Sequence, residues 1–222
     1  MSETLTSDDI AVVLVNYRTP DLLETAASSF RKFYPEMEMV LVDNGSGDRS
    51  LEVIDSLVKA NQSKTKRILL ERNYFHGPSM DTAMHSITKD LVFFLDTDTE
   101  TYRGGFIEEM LREMNGDAKV YGVGRVDRVN KRGFATENGS ETILISAYMM
   151  LRRSTYKQLP PFVHHGMPTL QNFAAATKMG FGLRHLDMDS YIHHAGRGTA
   201  GKFGYGLGLR GKMDYILNKV GL

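Results

Sequence analysis

Apolar positions along this chain follow two alternating patterns. Ala11–Asn16 is a continuous apolar run ending in Asn, which predicts a strand buried on both faces. Thr19-Pro20 then reads as the N-cap and first residue of a helix, with Leu22, Ala26, Phe30 and Phe33 as its apolar stripe. The pattern repeats. Met39–Val42 predicts a strand, and Leu51, Ile54 and Val58 mark a helix. Arg67–Leu70 predicts a third strand, and Pro78 opens a helix with Met80, Ala83, Met84 and Ile87 on one face. Leu91–Leu95 predicts a fourth strand, and Phe106, Ile107, Met110 and Leu111 mark the next helix. Strand and helix alternating at a repeat of roughly 25 residues predict crossover units and a mostly parallel sheet. Ligands of such sheets sit beyond the carboxyl ends of the strands, where this chain carries Asn16, Asp43, Asn73, Asp96 and Asp98.

After about residue 115 the pattern changes. Val120–Val126 and Ile143–Leu151 predict two strands joined as a hairpin. Pro168 opens a helix with Leu170, Phe173, Ala174 and Thr177, closed by Gly180. Leu183–Leu186 and Tyr191–His193 predict short strands. Beyond Gly196 the chain is Gly-rich and basic, with Arg197, Lys202, Arg210, Lys212 and Lys219 against Asp214. It reads as a mobile loop leading to a final helix around Met213–Val220. No linker is long enough to separate two domains, so a single α/β domain is expected over 1–222. Its donor half would cover about 10–115, its acceptor half about 116–195 and its basic tail 196–222.

Composition narrows the chemistry. The 222 residues carry 27 Lys+Arg against 27 Asp+Glu, which disfavours a dedicated nucleic-acid binder. Absence of Cys excludes disulfides, thiolate metal sites and a cysteine nucleophile. The 13 Met read as core filling. The first ten residues lack the basic and apolar regions of a signal peptide, and no apolar run approaches the ~20 residues that span a bilayer. A soluble cytoplasmic protein is expected, with peripheral contact at the inner membrane surface as the alternative.

Asp96-Thr97-Asp98, directly after the apolar run Leu91–Leu95, is the sharpest chemical feature. Two carboxylates at i and i+2 beyond a buried strand can converge on one point. A hard divalent cation takes oxygen ligands and is often shared between carboxylates and substrate phosphates. An acidic turn is the structural alternative. Five of the seven His fall between residues 164 and 194, which adds imidazole ligands to the candidates.

Taken in order, several segments resemble a family-2-type glycosyltransferase of the GT-A fold. They are Val12-Val13-Leu14-Val15-Asn16-Tyr17, Leu41-Val42-Asp43-Asn44-Gly45-Ser46-Gly47-Asp48, Asn73 to Ala83, and Val92-Phe93-Phe94-Leu95-Asp96-Thr97-Asp98. Ile145 to Arg153 is similar to the family's acceptor-side strand, and Ser190 to Thr199 to its closing histidine segment. The resemblance implies a mostly parallel central sheet with helices on both faces and a smaller mixed acceptor-side sheet. It also implies an inverting transferase, of hexosyltransferase type, that uses Mn²⁺ or Mg²⁺ and a UDP-, GDP- or dTDP-sugar.

Roles carry over by position. Asn16 and Tyr17 would line the base pocket, and Asp43 would hold the base or ribose. Asn73 and Gly77 would approach the ribose or diphosphate. Asp96 and Thr97 would touch the ribose or metal, with Asp98 as main metal ligand. His194 would complete the metal site. It is preferred to His193 because one of an alternating pair faces inward; both as plain polar strand-end residues is the alternative. Arg197 would steady the diphosphate. Asp43 and Asn44 could equally form a turn that caps the next helix.

The family usually places a catalytic carboxylate, often within Glu-Asp, near the acceptor-side helix. This chain has His164-His165-Gly166-Met167-Pro168-Thr169 there. His165, then His164, is the expected base, with Asp187 and Asp189 as carboxylates nearby in sequence; alternatively the two His only shape the acceptor pocket. The acceptor is open between a saccharide, a lipid carrier, a protein and a modified nucleic-acid base, and a homodimer is a further option. A sugar-phosphate nucleotidyltransferase is a competing reading, disfavoured because Asn16-Tyr17-Arg18-Thr19-Pro20 lacks the Gly-rich phosphate loop. A catalytically inactive sugar-nucleotide-binding domain is another, motivated by the missing carboxylate.

Overall fold

Alternating apolar side chains of one strand anchor two cores. The computed structural model describes residues 4–163 and 167–196. Strand β1 (Ile10–Asn16) sends Ile10, Val12 and Leu14 into one core, and Ala11 and Val13 into the other. That double burial is why its sequence is apolar throughout rather than alternating. Helix α1 (Pro20–Arg31), β2 (Glu38–Asp43), α2 (Ser50–Ala60) and β3 (Thr65–Leu69) follow. Then come α3 (His76–Ser86), β4 (Leu91–Leu95), β5 (Thr99–Thr101) and α4 (Phe106–Gly116). The second half holds β6 (Val120–Val129), β7 (Glu141–Arg152), α5 (Arg153–Tyr156), α6 (Leu170–Lys178), β8 (Gly182–His185) and β9 (Ile192–His194).

The main sheet runs β3-β2-β1-β4-β7-β6-β8. Strands β3, β2, β1 and β4 are mutually parallel, β7 is antiparallel to β4 and β6, and β8 is parallel to β6. Helices α1, α2 and α4 cover one face, and α3 and α6 the other. The second-half strands thus extend the main sheet, and the smaller sheet consists of β5 and β9 alone. Among the described residues no helix is long and apolar enough to cross a membrane.

Local differences from the sequence pattern have packing causes. The buried stripe of α1 is Leu23, Ala26, Ala27 and Phe30, whereas Leu22 is only half-buried. Phe33 lies beyond the helix end and is 39% exposed. Helix α3 begins at His76, two residues before Pro78, because Phe75 at φ 70° turns the chain into it. The expected final helix around Met213–Val220 lies outside the described residues.

Tyr34 joins α1 to α4. Its ring sits 5.0 Å from that of Phe30 and 5.1 Å from that of Phe106. Its hydroxyl oxygen accepts from the Gly105 and Ile107 N–H groups at 2.7 and 3.3 Å, and the hydroxyl donates to Glu108 Oε2. A phenol therefore satisfies N–H groups that a helix start leaves without intrahelical partners. Burial pushes this phenol up from 10.0 to about 12, with the Ile107 N–H opposing and Glu108 reinforcing. A raised folded-state pKa contributes stability that is complete below the unfolded value and is lost as pH climbs through the folded one. Tyr34→Phe should lower stability near neutral pH by about 1 kcal/mol. The deficit should shrink between about pH 10 and 12. Urea titrations of both proteins across that range test it, and a constant deficit would count against the assignment.

Candidate active site at the strand ends

Strand order reverses between β1 and β4. The chain steps outward from β1 to β2 and β3, then returns through α3 to β4 on the other side of β1. The carboxyl ends diverge at such a reversal and leave a crevice. Asn16 ends β1 on one side of it, and Asp96-Thr97-Asp98 follows β4 on the other. Thr19 bridges them. Its side chain makes no N-cap bond to α1 but donates to Asn16 Oδ1 at 2.8 Å and lies 3.1 Å from Thr97 Oγ1.

Asn16 and Asp43 are buried and hydrogen-bonded to each other, Nδ2 to Oδ1, at 3.2 Å. Ser46 completes the group. Its hydroxyl donates to Asp43 Oδ1 at 2.6 Å, and its N–H to Asp43 Oδ2 at 2.9 Å. Asp43 thus closes the turn after β2. The same Ser46 oxygen accepts from Asn16 Nδ2 and from the Arg18 N–H, tying the β1 and β2 loops together. Arg18, at φ 56°, donates from Nε to Ser46 O, and its guanidinium lies over the half-buried Tyr17 ring, 5.2 Å from the centroid.

The third loop is attached to the second. Asn44 Nδ2 donates to Asn73 Oδ1 at 3.0 Å, and Asn44 Oδ1 accepts from the Tyr74 N–H at 2.8 Å. Asn73 Oδ1 also accepts from the Phe75 N–H. Gly45 lets the Arg72 backbone close in, since a Cβ there would meet it at 2.4 Å. Gly77 differs from its expected place in a donor loop. It lies within α3, and the space of its missing Cβ is taken by the Val163 carbonyl, 2.0 Å away. Its lack of a side chain serves packing between α3 and the segment entering the acceptor side.

Asp96, Asp98 and His194 present one ligand atom each, all within 4.8 Å of one another. His194 Nε2 lies 3.3 Å from Asp98 Oδ1. The antiparallel pair β5–β9 produces this meeting across almost a hundred residues: Thr99 is opposite His194, and the Ala195 N–H donates to the Asp98 carbonyl. His193 on the alternate face is exposed. Burial pushes the Asp96 carboxyl above its ordinary range, with His76 and His194 opposing and Asp98 reinforcing. The hydrogen bond to Asp98 raises the His194 imidazole against the effect of burial. Two carboxylates that repel each other beside an imidazole form a donor set suited to a hard divalent cation.

A cavity of about 290 Å³ is lined by His194 together with Tyr102, Arg125, Tyr148, Asp189 and His193. Asp189 Oδ1 accepts from the Tyr148 hydroxyl at 2.8 Å, and Oδ2 from Arg125 Nη1 at 2.9 Å. The Tyr148 ring meets His194 edge to face at 5.9 Å. The strand ends thus gather Asn16, Tyr17, Asp43, Asn73, Asp96, Thr97, Asp98 and His194 around the crevice, and Asp189 lines the adjoining cavity. His164, His165 and Arg197 lie outside the described residues. Sequence reasoning passed over Ser46, Thr19, Arg125, Tyr148 and His76. Ser46 stood in a recognised turn beside the more conspicuous Asp43, and Thr19 had a sufficient explanation as an N-cap. The other three carry no local signal, because only sheet pairing and helix placement bring them here.

Residues 9–176 match the profile described as Glycosyl transferase family 2. An undecaprenyl-phosphate 4-deoxy-4-formamido-L-arabinose transferase of Pectobacterium atrosepticum is 28% identical over 159 residues, 69% of this chain and 46% of that protein. The chain thus spans about half the length of the curated relatives it matches. Among solved structures, a mannosyltransferase of Pyrobaculum calidifontis in complex with GDP-Man and Mn²⁺ gives a TM-score of 0.65 at 18% identity, over 80% of this chain and 54% of that one. Glucosyl-3-phosphoglycerate synthase of Mycobacterium tuberculosis, in complex with Mn²⁺, UDP and glucosyl-3-phosphoglycerate, gives 0.61 at 14% identity, over 96% and 80%. These likenesses establish the shared fold.

The Asn16–Asp43–Ser46 group should behave as one unit. Asn16→Ala and Ser46→Ala should each destabilise the chain by about 1–3 kcal/mol, by leaving buried groups without partners. Their double mutant should fall short of the sum by about 0.5–3 kcal/mol. A double-mutant cycle in urea tests this, and strict additivity would speak against the network.

Proposed function

The chain belongs to glycosyl transferase family 2, and on that premise we propose that it is a metal-dependent, inverting glycosyltransferase. It moves a sugar from a nucleotide-diphosphate donor to an acceptor hydroxyl. The observation that carries this reading is the convergence of Asp96, Asp98 and His194 at the sheet's reversal, next to the Asn16–Asp43 pocket. In this reading the whole chain acts as one GT-A-like unit, with residues 10–115 taking the donor and 116–195 the acceptor.

Asn16, Tyr17 and Asp43 hold the base and ribose, on loops that the Ser46 and Asn44 hydrogen bonds keep in place. Asn73 limits movement of the neighbouring loop. Asp96, Asp98 and His194 would hold the ion, and the buried Thr97 between the two carboxylates lies against Thr19. When bound, Mn²⁺ or Mg²⁺ supplies Lewis-acid stabilisation of the diphosphate leaving group. The neighbours in complex with Mn²⁺ support this choice of ion.

The acceptor enters the cavity beside His194. There Asp189 takes the proton of the attacking hydroxyl, a role expected above of His165 and then His164. Tyr148 and Arg125 orient the carboxylate from one side, and its exposure leaves lone pairs for the acceptor. A hydroxyl nucleophile needs such a base, whereas a phosphate nucleophile does not. The named relative makes a lipid carrier, met by peripheral membrane contact, an acceptor to assay beside saccharides.

Thermal-shift measurements with UDP, GDP and dTDP, with and without Mn²⁺, should give a shift for one base that requires the metal. Asp98→Ala should abolish that shift and lower transfer by at least ~100-fold, while circular dichroism stays native. Full activity of that variant, or of the protein in excess chelator, would refute the metal site.

A further inference from the structure

His76 is a titratable side chain next to the site that the roles above leave unused. Its ring is partly exposed, but Nε2 itself is buried and has no hydrogen-bond partner among the described residues. That nitrogen lies 3.5 Å from Asp96 Oδ1. A buried polar atom without a partner is costly and calls for a physical reason. His76 is not part of the mutual cluster formed by Asp96, Asp98 and His194, so it meets Asp96 from outside that group.

The backbone around His76 holds the ring where it is. Phe75, at φ 70°, is a bulky residue in a conformation such residues avoid. Its N–H is bound by Asn73 Oδ1, and its carbonyl accepts from both the N–H and the hydroxyl of Ser79. On the other side, the Val163 carbonyl abuts Gly77 where a Cβ would be. The first turn of α3 is thus pinned at both flanks.

We infer that His76 is a positioning residue for Asp96, donating from Nε2–H to the carboxylate and fixing the oxygen that Asp96 turns to a divalent cation. This rests on the metal site proposed above. Carboxylates that ligate metals are generally hydrogen-bonded from outside the site, and loss of such a partner weakens metal affinity about 10–100-fold. A separation of 3.5 Å is longer than a formed bond, but hydrogen bonds at such sites commonly tighten only when the ligand arrives. The tautomer with its proton on Nε2 makes this contact without any change of charge.

Mn²⁺ titration of the full chain, followed by calorimetry and by the spin-resonance signal of free Mn²⁺, tests the inference in the presence and absence of UDP. His76→Ala should weaken Mn²⁺ about tenfold, while His76→Gln, which keeps an N–H donor at similar reach, should stay within about twofold of wild type. On an Asp96→Ala background, His76→Ala should add nothing, because its effect passes through Asp96. The urea midpoint of His76→Ala should match or exceed that of wild type, since the variant removes an orphaned polar atom. Wild-type affinity in His76→Ala, equal loss in His76→Gln, or an undiminished effect on the Asp96→Ala background would each overturn the inference while leaving the metal site standing. Failure of the wild-type protein to bind Mn²⁺ at all would instead overturn the metal site, and this inference with it.

Discussion

The reversal of strand order beside β1 is the constraint on which the rest of the molecule depends. Parallel neighbours on both sides of β1 require crossovers that leave in opposite directions, so α1 and α2 occupy one face and α3 the other. The loops after β1 and β4 must then separate at their carboxyl ends. A crevice at that point follows from connectivity. Polar residues at the strand ends line it because the strands themselves, buried on both faces, exclude them elsewhere.

What fills the crevice is held by two kinds of interaction. On the β1–β2 side, neutral and charged groups satisfy one another: Asn16, Asp43, Ser46 and Thr19 form a buried, hydrogen-bonded unit. Such a unit is rigid because each lost bond leaves a desolvated partner. On the β4 side the balance is different. Burial raises the Asp96 carboxyl, Asp98 adds to the rise, and His76 and His194 oppose it without cancelling it. One side is a closed hydrogen-bonded unit, whereas the other gathers two carboxylates and an imidazole around one point.

The second half of the chain acts through sheet pairing. Strand β7 runs antiparallel to β4 and places Tyr148 beside Leu95, one residue before Asp96. Strand β9 pairs with β5 and sets His194 against Asp98. Arg125 and Tyr148 then converge on Asp189 from two different strands.

By itself, the sequence determined the alternation of strands and helices, the parallel half of the sheet, and the carboxylates at the strand ends. These follow from local physics: a strand buried on both faces must be apolar throughout, and the residue ending it must be polar. The acidic pair after Leu95 and the turn after Val42 were legible for that reason. Tertiary structure alone decided that the later strands extend the main sheet, that Gly77 serves packing, and that Ser46 and Thr19 knit the loops at the crevice. It alone also brought His76 within 3.5 Å of Asp96, and Asp189 into the cavity beside His194. Those relations join residues from 20 to almost 100 positions apart, and no periodicity encodes them. They arise from sheet register and helix placement, which depend on how the whole chain buries its apolar surface.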